Sequence, residues 1–305
     1  MIDMPLMGLG TYDISFGEIT DKDIILPALR TGYRHINVAE NYWNLSGVAT
    51  AIKTACRPTT QGGLGLKRED IWLTMKASAS LNEAHIDKLL NRIEVDYFDL
   101  FLIHHPTVSG IFEDEDSLEN AWTMLSEIEK CKLKRIGVAN FYEPHLERLI
   151  AICDRAGLDR PFANEIEMTL LSKNKLLVDY CQRENIGVIA YSPIGYNASL
   201  SLFENNEPLQ QLSRHIDSTP AQAELAWKMS KNISVIPKST HNERLLEQYE
   251  AQRFVSDVIQ RPHFTRILDE QDDSFPNGVT PVAEESRKHG QTLDWEVNSM
   301  ANRMG

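Results

Sequence analysis

Short apolar runs alternate along the chain with longer stretches in which apolar residues recur every three or four positions. The runs are LMGLG (6–10), HINVA (35–39), IWLTM (71–75), DLFLIH (99–104), RIGVA (135–139), FANEIE (162–167), GVIAY (187–191) and SVIPK (234–238). They are rich in Val, Ile, Leu and Phe with little polar alternation, which is the pattern of strands buried on both faces. Between most of them lie SGVATAIKTA, HIDKLLNRI, SLENAWTMLSEIEK, EPHLERLIAICDR and KNKLLVDYCQRE, all apolar at helical spacing. Ser117 and Ser172 stand where N-caps are expected, ahead of the helices containing Trp122 and Leu176.

Strand then helix, eight times over, predicts right-handed crossovers and a closed parallel sheet, an α/β fold of the (β/α)8 TIM-barrel type. An open doubly wound sheet is the alternative. The regular count of units argues against it, and no GxGxxG follows the first run. A length of 305 residues suits one such barrel, so residues 1–305 are expected to form a single domain. The stretch from about 254 to 305 leaves the strand–helix rhythm and contains QDDSFPNG and EESRKHG. It is expected either to cover the barrel mouth or to be partly disordered.

Composition narrows the function. Hydrophobic residues make up 42% of the chain, enough for a large core. The balance of 31 basic and 44 acidic residues gives a net charge of −13. That argues against nucleic acid or an anionic membrane surface as partner, though a local basic pocket for a phosphorylated cofactor remains compatible. Cys56, Cys131, Cys153 and Cys181 are widely spaced without CxxC pairing, so free thiols are expected rather than a zinc site or disulfides. The N-terminus MIDMPLMGLG shows no signal-peptide pattern, and no apolar run approaches membrane-spanning length. A cytoplasmic location is the resulting expectation.

In a parallel barrel, residues at the C-terminal strand ends face the active site. Asn37 and Tyr42 follow the second strand, Lys76 ends the third, His104 ends the fourth and Asn140 follows the fifth. Glu165 lies in the sixth, Tyr191, Ser192 and Pro193 follow the seventh, and Lys238 and Ser239 follow the eighth. A Lys, a His and a Tyr converging on one mouth read as an acid–base site.

Six segments, in order across about residues 5–250, make the reading more specific: GYRHINVAENYWN, IWLTMK, YFDLFLIHHP, IGVANF, GVIAYSPIG and SVIPKSTHNERLLEQ. Together they resemble the aldo-keto reductases. The resemblance implies carbonyl reduction by hydride transfer from NADPH, with a small carbonyl compound as substrate. It implies Tyr42 as general acid, Lys76 and Asn37 beside it, and His104 orienting the carbonyl oxygen. An ordinary Tyr has a pKa near 10, and an adjacent ammonium would lower it. Gly10, Thr11, Asn37, Asn140, Glu165, Tyr191, Ser192, Pro193 and Ile194 are implied in cofactor binding, Tyr191 by stacking on the nicotinamide. Lys238, Ser239, Thr240 and Arg244 are implied around the adenosine 2′-phosphate, with Glu247 and Gln248 near the adenine. Tyr12, Trp43 and His105 are implied in substrate binding, and no metal site is expected.

The chain departs from the family pattern at the chemical half of the site. The Asp that normally pairs with the Lys is Asn37, the Ser before Asn140 is Ala139, the Gln is Glu165, the Glu after Asn44 is Leu45 and the Trp after His104 is His105. With Asn37, the Lys76 ammonium is expected to be held by hydrogen bonds alone, each neutral bond contributing about 0.5–1.5 kcal/mol. Glu165 compensates it in part where the two are close. Slow reduction of generic aldehydes is therefore expected, with Asn37→Asp re-forming a charge-assisted pair and speeding it. Two alternatives stay open: an NADPH-binding protein with weak or lost redox activity, and a non-redox acid–base activity at the same residues.

Overall fold

The computed structural model describes residues 3–12, 21–78, 82–106, 115–128, 130–170, 172–195 and 205–271. Eight strands form one sheet in sequential order: β1 (Leu9–Gly10), β2 (His35–Ala39), β3 (Trp72–Ala77), β4 (Leu100–Ile103), β5 (Ile136–Ala139), β6 (Ala163–Glu167), β7 (Gly187–Tyr191) and β8 (Ser234–Ile236). All seven sequential pairings are parallel. The sheet closes where the first apolar run meets the last. Val235 donates its N–H to Leu6 O at 2.8 Å, Gly8 donates to Val235 O at 2.9 Å and Gly10 donates to Pro237 O at 3.0 Å. Gly10 is required there, because a Cβ at this position would sit 2.7 Å from Ile236 O. The predicted (β/α)8 barrel is the observed fold.

The helices among the described residues are α1 (Asp21–Thr31), α2 (Leu45–Ala55), α3 (Glu83–Ile93), α4 (Glu115–Glu127), α5 (Glu143–Ala156), α6 (Lys175–Arg183), α7 (Glu207–His215), α8 (Pro220–Ser230), α9 (Asn242–Glu250), α10 (Val255–Ile259) and α11 (Pro262–Glu270). Two expected caps are corrected. Helix α4 begins at Glu115, so Ser117 lies inside it rather than capping it. Helix α6 is preceded by Asn174 in the left-handed conformation, not by Ser172. Ser172 lies two residues before that cap, in a local turn where its N–H donates to Thr169 Oγ1 at 3.0 Å.

Strand side chains alternate between two layers. Ile36, Val38, Leu73, Met75, Phe101 and Ile103 point outward into the main core beneath the helices. The interior holds a separate small apolar cluster that includes Met4, Leu100, Leu102, Ala163, Ile189 and Ile236. Above it the inward positions turn polar: Asn37, Lys76 and Glu165 share the same lumen, all buried.

The C-terminal segment is helical as far as it is described. Helices α10 and α11 supply Val258 and Leu268 to a cluster with Leu209, Leu212, Ala226 and Trp227 of α7 and α8. Lys173, in the loop after β6, donates to Leu268 O at 3.1 Å and also to Gln271 O. Residues 272–305, where a mouth-covering or disordered segment is expected, lie outside the described residues. Cys153 and Cys181 are buried thiols, and Cys56 is half-buried.

Helix α8 carries an unusual pair. Glu224 and Lys228, one turn apart, are both fully buried and bonded to each other. The Lys228 ammonium also donates to Pro193 O at 2.9 Å, in the loop after β7. Burial pushes the carboxyl up and the ammonium down from their ordinary values, and each partner's charge opposes that shift. Such pairs add little net stability over apolar residues, but breaking one leaves an uncompensated charge. Lys228→Met should therefore destabilise the protein by about 3–5 kcal/mol, while Glu224→Leu with Lys228→Met should recover most of that loss. Urea unfolding midpoints of the three proteins check this; equal losses in the single and double variants would refute it.

Candidate active site

The polar upper lumen opens into a cleft of about 580 Å³ at the C-terminal strand ends. At its floor, three side chains from three strands close a ring. Lys76 of β3 donates through Nζ to Asn37 Oδ1 at 2.5 Å and to Glu165 Oε1 at 2.7 Å. Asn37 of β2 donates through Nδ2 to Glu165 Oε2 at 2.6 Å. The Lys76 and Glu165 side chains are each 2% exposed. The register that sets Ala39 beside Lys76 and Asn37 beside Thr74 aims both β2 and β3 residues inward. Glu165 reaches them from across the barrel.

This ring corrects one expectation. Lys76 is not held by hydrogen bonds alone, because a full carboxylate faces it. The carboxylate that the family pattern has at position 37 is at position 165 instead, bonded to Lys76. An ion pair this dry is charge-assisted at both ends. Asn37→Asp would set a second carboxylate within 2.6 Å of the first rather than restore a missing one.

Tyr42 lies directly above. Its ring centroid is 5.1 Å from Lys76 Nζ, and it packs edge-to-face against Tyr12 at 5.1 Å and against His104 at 6.1 Å. His104 and His105 stack nearly parallel, with centroids 4.5 Å apart. Burial, the neighbouring imidazole and the Lys76 charge all push His104 well below the usual imidazole value. His105 is lowered to about 4 by burial and the Lys76 charge. Deeper in the lumen His35 is lowered to about 3, chiefly by burial. All three are therefore neutral near pH 7, and each can offer one donor and one acceptor.

One wall of the cleft is a hydrogen-bonded chain. Tyr191 donates its hydroxyl to Asn140 Oδ1 at 3.0 Å, and Asn140 Nδ2 donates to His104 O at 2.9 Å. Asn140 and Ser192 both adopt left-handed backbone at φ 61° and 49°, so the chain turns sharply at two strand ends. The loop Ser192, Pro193 and Ile194 continues this wall and is pinned from behind by Lys228. On the opposite side, Thr11 is tied to β2 through its hydroxyl and N–H, both donating to Asn37 O. Buried Asn44 donates to Thr11 O at 2.7 Å.

The far end is basic. Lys238, Ser239, Thr240 and Arg244 line it at the start of α9, with Gln248 one turn further along. Gln248 Oε1 is buried and has no hydrogen-bond partner among the described residues. Of the residues expected in the site, Trp43 and Glu247 do not line the cleft. Trp43 sits at φ 60° and is 69% exposed, which turns its indole outward. Glu247 accepts a hydrogen bond from Thr219 Oγ1 at 2.7 Å. Gly195, Ile236, Pro237 and His241 line the cleft as well. They belong to segments already singled out, but only the closed barrel shows that they face inward. Among the described residues no cluster of metal-ligating side chains occurs, and no helix is long and apolar enough to cross a membrane.

Comparison with known proteins agrees with this geometry. The model of the aldo/keto reductase family matches residues 6–262. A D/L-glyceraldehyde reductase of Hypocrea jecorina is 31% identical over 274 residues, covering 81% of this chain and 80% of the relative. A glyoxal reductase of Bacillus subtilis is 31% identical over 253 residues, covering 81% and 82%. The crystal structure of an aldo-keto reductase from a deep-sea metagenome library superposes with a TM-score of 0.73 at 28% identity, covering 90% of this chain and 93% of that one.

The neutral imidazoles make the fold acid-sensitive. Unfolded histidines take up protons below about pH 6.5, which His35, His104 and His105 refuse while folded. Their stabilising contribution is full above that value and is lost as pH falls towards 4. Glu167, raised to about 7 by burial, works in the opposite sense between about pH 4.5 and 7. Glu224, whose carboxyl burial also pushes up, acts in the same sense as Glu167. Three imidazoles against two carboxyls still leave stability falling, by on the order of 1 kcal/mol per unit, as pH drops from about 6.5 to 5. Urea unfolding across that window measures the slope; a flat profile would show that the imidazoles protonate in the fold.

Proposed function

This chain belongs to the aldo/keto reductase family, and from that premise we propose that it reduces a small aldehyde or ketone to an alcohol with NADPH as hydride donor, in the cytoplasm. One observation carries the reading. An ammonium kept in place by a buried carboxylate lies 5.1 Å from the ring of a half-buried tyrosine at the floor of an open cleft.

The residues present suit the cofactor. Lys238, Ser239 and Arg244 offer charge-assisted donors to a 2′-phosphate, the planar fork of Arg matching it in pairs. The unpartnered Gln248 Oε1 suits the exocyclic amine of an adenine. Tyr191 presents a ring at the cleft wall, its hydroxyl already tied to Asn140. The bound nicotinamide would supply a hydride to the carbonyl carbon.

The chain's own groups do the rest. Tyr42 gives its phenolic proton to the carbonyl oxygen as charge builds there. Lys76 stabilises the phenolate left behind, which lowers the phenol's pKa towards the working range. His104, neutral and adjacent, donates a hydrogen bond that orients the oxygen before transfer. Tyr12 and His105 border the space beside it. His105 makes this wall polar, which suits small, hydrated carbonyl compounds such as the substrates named for the glyceraldehyde and glyoxal reductases. Because Glu165 supplies the counter-charge, the reason for expecting slow reduction of simple aldehydes falls away. Thiols at Cys56, Cys153 and Cys181 accord with a reducing compartment.

Tyr42→Phe should lower turnover of glyceraldehyde or glyoxal by at least about 100-fold while cofactor affinity stays near wild type. Stopped-flow turnover and fluorescence titration separate the two; retained turnover would pass the proton to His104 or His105. Arg244→Ala should weaken NADPH binding by about 1.5–3 kcal/mol and NADH binding far less. Equal losses for both cofactors in the same titration would overturn the assignment of the basic end.

A further inference from the structure

The ring formed by Asn37, Lys76 and Glu165 has a strict chemical parity. Lys76 can only donate, so Asn37 must turn Oδ1 towards it and Nδ2 towards Glu165. Each carboxylate oxygen of Glu165 is then taken by a different donor. If position 37 were also a carboxylate, two acceptors would face each other at 2.6 Å and one would have to hold a proton. If neither position were a carboxylate, a buried ammonium would have no counter-charge. The ring therefore accommodates one carboxylate and one amide, divided between β2 and β6.

Several polar groups surround Lys76. Glu165 faces it from β6. His35 lies on β2, His104 and His105 follow β4, and Tyr42 lies in the loop after β2. The Lys76 charge helps depress all three imidazoles. No other carboxylate is bonded to Lys76 among the described residues.

We propose that Glu165 is a positioning residue that keeps Lys76 charged and thereby sets the acidity of Tyr42, and that the carboxylate of Glu165 and the amide of Asn37 can exchange places without loss of function. This rests on the reading of Tyr42 as proton donor. Glu165 acts through the ammonium, which donates to it at 2.7 Å. With Glu165→Gln, burial drives the proton off Lys76, and the Tyr42 phenol returns towards its ordinary value near 10. The imidazoles of His35, His104 and His105 then titrate higher, because one cause of their depression is gone. Asn37→Asp alone adds a negative charge or a shared proton to the ring and disturbs the phenol in the same direction. Asn37→Asp combined with Glu165→Gln moves the carboxylate to β2 and keeps the net charge.

The test is the set of wild type, both single variants and the double variant, each with Tyr42→Phe as its blank. Two readouts are taken across pH: tyrosinate absorbance of the protein alone, and turnover of glyoxal with NADPH. Glu165→Gln should raise the Tyr42 midpoint by at least about one unit and lower turnover by about 10-fold or more. The double variant should return the midpoint to within about half a unit of wild type and turnover to within about 3-fold. A Glu165→Gln protein with an unmoved tyrosinate midpoint would overturn the proposal, even if it were less stable or slower. So would a double variant no nearer to wild type than Glu165→Gln. Should wild type oxidise no NADPH with any aldehyde, the assignment of Tyr42 as proton donor fails. The absorbance titration still decides whether Glu165 controls its acidity.

Discussion

Closure of the sheet is the constraint on which the site depends. The hydrogen bonds of Val235 to Leu6 and of Gly8 and Gly10 to the last strand turn eight parallel strands into a tube. A tube has an interior no wider than the side chains that fill it, so inward residues of distant strands must meet. Asn37 of β2, Lys76 of β3 and Glu165 of β6 meet there because nothing else fits between them. In an open sheet β2 and β6 would be separated by the intervening strands. The charge of Lys76 would then have to be balanced by a neighbour or by water.

That charge organises the chemistry above it. A buried ammonium without a partner would lose its proton, and with it any effect on Tyr42. Paired with Glu165, it remains a fixed positive centre beneath the phenol and beside three imidazoles. The same centre that favours phenolate disfavours imidazolium. In the proposed reduction, tyrosine and histidine thereby take different tasks, one to give up a proton and the other to stay neutral and orient. The division comes from one ion pair and from burial.

The walls of the cleft are held from outside the barrel as well as from within. Lys228 reaches from α8 through the core to Pro193 O, and Asn44 reaches from the start of α2 to Thr11 O. Both clamps act on backbone carbonyls of loops that line the cleft. Ser192 and Asn140 keep left-handed conformations at those strand ends, which need support from their surroundings to persist. The ion pair with Glu224 leaves the Lys228 ammonium compensated while it performs this task.

Much of this was legible in the linear chain. Strands buried on both faces announce themselves by unbroken apolar runs, and β2 and β7 coincide with HINVA and GVIAY residue for residue. Tyr42, Lys76, His104 and Asn140 follow from the rule that strand-end positions of a barrel face one mouth, whereas Arg244, inside a helix, follows only from the family resemblance. Local signals place helix ends less well, as at Ser172, which lies in a turn with Thr169 while the helix starts after Asn174. Trp43 was misplaced because its backbone conformation, which no pattern of residue types reveals, turns it to solvent. A Glu and a Lys four residues apart ordinarily mark an exposed helix face, so Glu224 and Lys228 gave no sign of burial. The sequence by itself determined the fold, the family and the residues at the mouth, because these follow from periodicity and motif order. Only the tertiary structure decided which carboxylate Lys76 answers to. Position 37 and position 165 are 128 residues apart, and their 2.6 Å contact exists solely because the barrel closes.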